Sequence, residues 1–261
     1  MMRHIKILLA LSVFLVLTGC SSLKATKLIA PTWFGMEKID ERVFVNKEMS
    51  SAERSKILLL VTESETQIIK YYGKATTRPE YFFCSTEECY KSFGFTTSRA
   101  QSFASYGCLF SPRGTTVPII SHEWSHIELY SRINSSGTMR HIPQWFNEGL
   151  AVTVSEEPTH SENQWQYMIT SNIPRPTREE LLSIKTLREW LDAVHHFGED
   201  LNKERKEKGN PPVAPLYTAA GHEVRLWFAN ANTKGLISFI DRMNNGENFD
   251  DAYSEVNPET K

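Results

Sequence analysis

The chain has 261 residues, 40% of them apolar, and its 29 basic and 31 acidic side chains leave a net charge of −2. That is enough chain for one large buried core, and a balance too near neutral to argue for a nucleic-acid partner. No repeat of solenoid period is visible, which excludes a stacked-repeat architecture.

Residues 1–20 read as a targeting segment outside the fold. Arg3, His4 and Lys6 make a basic start, and Ile7 to Leu17 is an apolar run too short to span a bilayer comfortably. It ends in Leu17-Thr18-Gly19-Cys20, which resembles the bacterial lipobox. The resemblance implies cleavage before Cys20 and a lipid on its sulfur, anchoring the chain to a membrane at about 0.8 kcal/mol per buried methylene. No aspartate follows Cys20, which in a Gram-negative envelope implies the periplasmic face of the outer membrane. Residues 21–30 are then a tether. The expected folded domain is 31–261, with an α/β part at 31–114 and a mostly helical part at 115–261.

In chain order, Val43-Phe44-Val45 reads as a short strand. A helix capped by Ser50 or Ser51 runs to about Tyr72, with a stripe of Ile57, Leu60, Val61, Ile68 and Ile69, and Gly73 ends it. Tyr81-Phe82-Phe83 has strand composition, and 86–93 is a short helix. Ser102 to Phe110 reads as one further strand. Past Cys20 three cysteines remain, Cys84, Cys89 and Cys108. An exported chain meets an oxidising compartment, so a disulfide is allowed. Cys84–Cys89 and Cys84–Cys108 are both open.

The turn at Pro112-Arg113-Gly114 leads into a largely apolar helix carrying Ser121-His122-Glu123-Trp124-Ser125-His126. Residues four apart share a helical face, so His122 and His126 can aim imidazole nitrogens at one cation. Glu123 is about a quarter-turn away, beside the ion rather than on it, where it can take a proton from a water. A buried polar trio needs partners, and a divalent cation supplies them. A catalytic site of this kind takes a third protein ligand. Glu148 is the candidate, in Pro143-Gln144-Trp145-Phe146-Asn147-Glu148-Gly149-Leu150-Ala151. There Trp145, Phe146, Leu150 and Val154 form an apolar face, and a lone carboxylate among them would be costly to ionise.

The pair HEWSH and WFNEGLA resembles the gluzincin branch of the zincin metallopeptidases. The resemblance covers about Thr115 to Val154, and the C-terminal helices more loosely. It implies an α+β, zincin-like fold with a small mixed sheet ahead of the active-site helix. It implies one Zn²⁺ held by His122, His126 and Glu148, Glu123 as general base, and hydrolysis of peptide bonds. It also implies a peptide or protein substrate lying along a sheet edge, here the strand at about Ser102 to Phe110. In such peptidases a later helix supplies a tyrosine or histidine for the oxyanion. Tyr217 is the first choice for that catalytic role and His222 the second.

Between the two motif helices, Asn134-Ser135-Ser136-Gly137 has loop composition, and His141 reads as a solvated loop residue. Pro158 to Asn172 is polar, with His160 unassigned. Thr177 and Glu180 have capping-box form, and another helix covers Leu187 to Val194, with His195 and His196 at its end. The charged run Glu199 to Asn210 reads as an exposed loop. The last large helix opens at Leu216. Its small residues Ala219, Ala220 and Gly221 are expected to let it pass close to the HEWSH helix. Closing helices are expected over Gly235 to Met243 and Phe249 to Val256, joined at Asn244-Asn245-Gly246. Two rival functions fit the same motifs. One is a zinc-holding lipoprotein with a binding or envelope-assembly role and no turnover. The other is a hydrolase of cell-wall peptide amides.

Overall fold

The computed structural model describes residues 27–95, 98–103, 106–133, 138 and 141–256. Residues 1–26, with Cys20 and its expected lipidation, lie outside that set, as does the loop at 134–137. The strands are β1 (Met36–Asp40), β2 (Val43–Asn46), β3 (Glu80–Phe83), β4 (Ala100–Phe103) and β5 (Gly107–Phe110), in one mixed sheet of order β1-β2-β3-β5-β4. The helices are α1 (Ser51–Tyr72), α2 (Glu87–Ser92), α3 (Val117–Arg132), α4 (Gln144–Ser155), α5 (Glu162–Thr170) and α6 (Arg178–Ser183). They continue with α7 (Leu187–Val194), α8 (Leu201–Glu207), α9 (Pro215–Asn244) and α10 (Phe249–Val256). The class is α+β, with the sheet first and the helices after it.

Strand periodicity explains how the sheet is covered. β2, β3 and β5 run parallel to one another in the middle of the sheet, where both faces must be buried. Val43, Val45, Tyr81, Phe83, Cys108 and Phe110 point to the large core, where Ile57 and Ile68 of α1 and Ile120 and Trp124 of α3 pack. The alternate residues Phe44, Phe82 and Leu109 face a smaller cluster with Tyr90 and Phe93. Thr86 caps α2 through the Cys89 amide, and Cys84 and Cys89 are joined by a disulfide across 5.5 Å between Cα atoms. That resolves the choice between pairings. Cys108 is a free thiol buried on the core face.

Several expectations need correction. The stretch from Ser102 to Phe110 is not one strand. It holds the end of β4 and the whole of β5, which pair as an antiparallel hairpin in the register Ser102 to Cys108. β5 is interior, and the free edge beside α3 belongs to β4. The edge strand β1 escapes sequence reading because Glu37, Lys38 and Asp40 interrupt any apolar alternation, a usual device for blunting an edge. Ile69 is exposed rather than part of the α1 stripe. The polar stretch after Pro158 contains α5, which buries Met168. The charged run from Glu199 is helical too: a wide π-type turn, His195–Asp200, continues α7 into α8. Its charges occupy a solvated helical face, so polarity alone gives no sign of the backbone state.

The small residues of α9 do admit a close helix, but that helix is α4. A Cβ on Gly149 would meet the Ala220 carbonyl oxygen at 2.5 Å, and one on Gly221 would collide with Val152. Gly149 follows Glu148 directly, so this contact sets the depth at which the Glu148 helix lies. The last helix also runs on to Asn244, broken only at Asn232, whose φ is 50°. The kink at Asn232 divides this stretch into two helices, one opening near Leu216 and one covering Gly235 to Met243, as expected.

Candidate metal centre

Helix α3 leaves His122, Glu123 and His126 partly accessible among buried neighbours. Thr116 caps it by accepting from the Ile119 amide. Ile120, Trp124 and Ile127 are buried against the core, and the Trp124 indole donates to Thr77 Oγ1 at 2.9 Å. Its C-terminal half is clamped by Glu128, whose carboxylate accepts the amides and hydroxyls of Thr76 and Thr77 and the Arg132 guanidinium. With the helix locked on that side, His122 and His126 converge. Their Nε2 atoms stand 3.2 Å apart.

Helix α4 brings the third group. Trp145, Phe146 and Leu150 are fully buried and seat the helix. One oxygen of Glu148, Oε2, lies 3.4 Å from His122 Nε2 and 3.7 Å from His126 Nε2. The other, Oε1, accepts from the Gln144 amide at 2.9 Å. His126 Nδ1–H donates to Asn147 Oδ1 at 3.0 Å. An amide oxygen only accepts, so this bond leaves the inward Nε2 with its lone pair. The three ligand atoms all lie within 4.8 Å of one another, and the group could hold a metal ion.

The donor set fits such an ion on chemical grounds. Two lone-pair nitrogens and a carboxylate oxygen face one point, and a cation there relieves their mutual repulsion. Without one, a proton has to serve. Burial lowers the basicity of His122, but Glu148 outweighs it and the net shift is upward. Burial likewise raises the Glu148 carboxyl, and the charges of His126 and His122 bring it below its ordinary range. Asn147 acts on the site only through His126. Asn147→Ala is expected to weaken metal binding by about 10- to 100-fold while leaving the fold intact, as measured by competition with a chromophoric chelator. An unchanged affinity would remove Asn147 from the site.

Beside the group is a cleft of about 300 Å³, lined among others by Arg99, His122, Glu123, His160, Ala214 and Tyr217. Glu123 thus borders the open space and is absent from the ligand group, as its place on the helix requires. Tyr217 comes from the first turns of α9. Burial, then the charge of Glu148, push its hydroxyl well above the ordinary range, so it remains a proton donor.

His222 does not join this cleft. Five residues past Tyr217, it is turned about 140° round the helix. It pairs with Glu162 of α5 at 2.9 Å and stacks on Trp165 at 4.3 Å. That engagement removes the second choice for an oxyanion group. His141 is exposed, and Cys84, Cys89 and Cys108 belong to the sheet region.

Arg99, Glu157 and His160 were not legible in the sequence. Helix α4 ends in a left-handed turn at Glu156, φ 48°, held by Lys70 and Tyr71. The chain thereby doubles back, and Glu157 accepts both Arg99 nitrogens at 2.6 and 2.9 Å. His160 lies 3.6 Å from Glu157 and stacks on Tyr217 at 5.6 Å between ring centres. The turn brings Glu157 and His160 to the cleft, Arg99 comes from the entry to β4, and no spacing rule announces their meeting. Asn147 and Gln144 had a faint signal, being polar neighbours of Glu148 on a helix otherwise built to be buried. No protein-family model matches the chain, and no curated protein matches it.

His160 carries a pH dependence. Burial depresses its pKa below the ordinary 6.5, more than Glu157 restores it. As pH falls through 6.5 the unfolded chain takes the proton first, so stability present above that value is lost on acidification. His160→Gln is expected to flatten this loss. Thermal unfolding of both proteins from neutral to mildly acidic pH measures it, and parallel curves would contradict it.

Proposed function

We propose that the chain is a zinc-dependent peptidase of the gluzincin kind, anchored to the cell envelope through a lipid on Cys20. The observation that carries this reading is the convergence of His122, His126 and Glu148 within 4.8 Å, with Glu123 on the wall of the adjoining cleft. Two imidazoles and a carboxylate suit zinc, with a further position left for water and substrate. Bound there, zinc would supply Lewis acidity, polarising a peptide carbonyl and making a water easier to deprotonate.

The chain's own residues do the rest. Glu123 takes a proton from the attacking water and hands it to the departing amine. Tyr217 donates its hydroxyl proton in a hydrogen bond to the carbonyl oxygen as negative charge develops there. The free edge of β4 offers backbone groups to an extended peptide, orienting the carbonyl toward Glu123. Arg99 and Glu157 neutralise each other at the start of that edge, so the groove presents backbone rather than net charge.

The test is hydrolysis of a denatured protein library by the domain lacking its leader, with zinc, with a chelator, and with zinc restored. Activity that disappears and returns supports the reading, and no cleavage with zinc bound would defeat it. Tyr217→Phe is expected to lower kcat by about 10²- to 10³-fold with zinc affinity unchanged. An unaltered kcat would take the oxyanion role from Tyr217.

A further inference from the structure

A second cavity adjoins the cleft, and the two share a wall. It measures about 360 Å³ and is lined by Val194, Gly198, Val213, Ala214, Leu216 and Tyr217, with Asn202 and Glu199 beside them. Ala214 and Tyr217 also line the cleft that holds Glu123. Side chains with apolar surface make most of this lining, and its one charged residue, Glu199, is exposed. At the lower end of the range for small-ligand pockets, the space suits one bulky side chain rather than a cofactor.

Two features shape the walls of the cavity. The segment bearing Val213 is pinned at both polar groups by one side chain: Asn202 Nδ2 donates to the Val213 carbonyl at 2.7 Å, and the Val213 amide donates to Asn202 Oδ1 at 2.8 Å. Gly198 and Glu199 of the π-type turn His195–Asp200 form another part of the lining. Such turns are uncommon and gather at functional sites. Here it places Gly198, which has no side chain, on the cavity wall. A Cβ at Gly198 would meet only Val194, at 3.9 Å, so the backbone tolerates a methyl group there, while a much larger side chain would compete for the open volume.

We infer that this cavity receives a bulky apolar side chain, of leucine or phenylalanine size, from one of the two substrate residues flanking the scissile bond. The inference rests on the peptidase reading and specifies its substrate class. With Tyr217 on the shared wall, the same ring would touch the bound side chain on one side and reach the reacting carbonyl with its hydroxyl. Gly198 then sets the size limit without touching the reacting atoms.

The test compares the wild type with Gly198→Phe, which fills the cavity, and Gly198→Ala, which controls for the turn. Zinc-loaded proteins are given a random peptide library, and the cut sites are read by mass spectrometry. The wild type and Gly198→Ala are expected to favour Leu or Phe beside the cut by about 10-fold or more over Ala. Gly198→Phe is expected to lose that preference while still cleaving at Ala. A second readout needs no turnover. The Glu123→Gln protein, titrated calorimetrically with peptides derived from the best cut sites, should bind the Leu or Phe form about 10-fold more tightly than the Ala form. Adding Gly198→Phe should abolish the difference. Cleavage with no apolar preference, with a basic preference, or with one that Gly198→Phe leaves intact overturns this inference alone. Absence of any cleavage by the zinc-loaded wild type overturns it together with the peptidase reading.

Discussion

Glu123→Gln is expected to keep zinc and to lose about 10²- to 10⁴-fold in kcat. The substitution is nearly isosteric, and Glu123 stands outside the group formed by His122, His126 and Glu148, so metal affinity has no reason to fall. What disappears is a base bordering the cleft, and the amide of glutamine cannot replace it, because it does not take up a proton near neutral pH. Elemental analysis should give the wild-type zinc content, and kcat against a cleaved peptide should drop with KM little changed. Retained hydrolysis would remove Glu123 from the general-base role. Loss of zinc together with activity would mean that Glu123 is a ligand.

Glu148→Ala is expected to empty the site. Its carboxylate supplies the only anionic oxygen among the three ligand atoms, and its other oxygen is already committed to Gln144. The remaining imidazoles, 3.2 Å apart on one helix, offer two neutral donors to an ion that prefers at least three protein ligands. Zinc should therefore be lost on dialysis, and hydrolysis with it. A ligand that binds only the folded state stabilises it by about 4 kcal/mol at a thousandfold excess over its dissociation constant. Added zinc should thus raise the Tm of the wild type and leave that of Glu148→Ala where it was. A zinc-dependent rise in Tm of the variant would show that the third ligand is another group. The variant is expected to fold, since α4 packs on α9 through Gly149 against Ala220 and Val224, without the carboxylate.

How much of this was legible beforehand depends on whether the controlling distance is local. Ser50, Thr116 and Thr177 cap helices through contacts three residues away, so their helices could be read directly. Tyr81-Phe82-Phe83 announced a strand because aromatic residues fit a pleated, two-sided burial. His122 and His126 needed only the period of one helix. By contrast, β1 carries charges because it is an edge, and the run from Glu199 is helical because α7 extends into it; neither fact is contained in its own composition. Ser102 to Phe110 splits between two strands because β5 takes β4 as its antiparallel partner on one side and β3 as its parallel partner on the other, and neither pairing is a property of the stretch by itself.

Local chemistry in the chain was sufficient for the α+β class, the three candidate ligands, the neighbouring carboxylate of Glu123 and the order of the main helices. Each follows from short-range periodicity or from the cost of leaving a polar group alone in an apolar helix. The presence of Tyr217 rather than His222 on the cleft wall, the pairing of Cys84 with Cys89, and the arrival of Arg99, Glu157 and His160 at the cleft came from the packed molecule. They depend on which way α9 is rotated and where the chain turns at Glu156. Those rotations are set by contacts such as Gly149 against Ala220, between residues 71 positions apart, at a range where no periodic pattern in the sequence can register them.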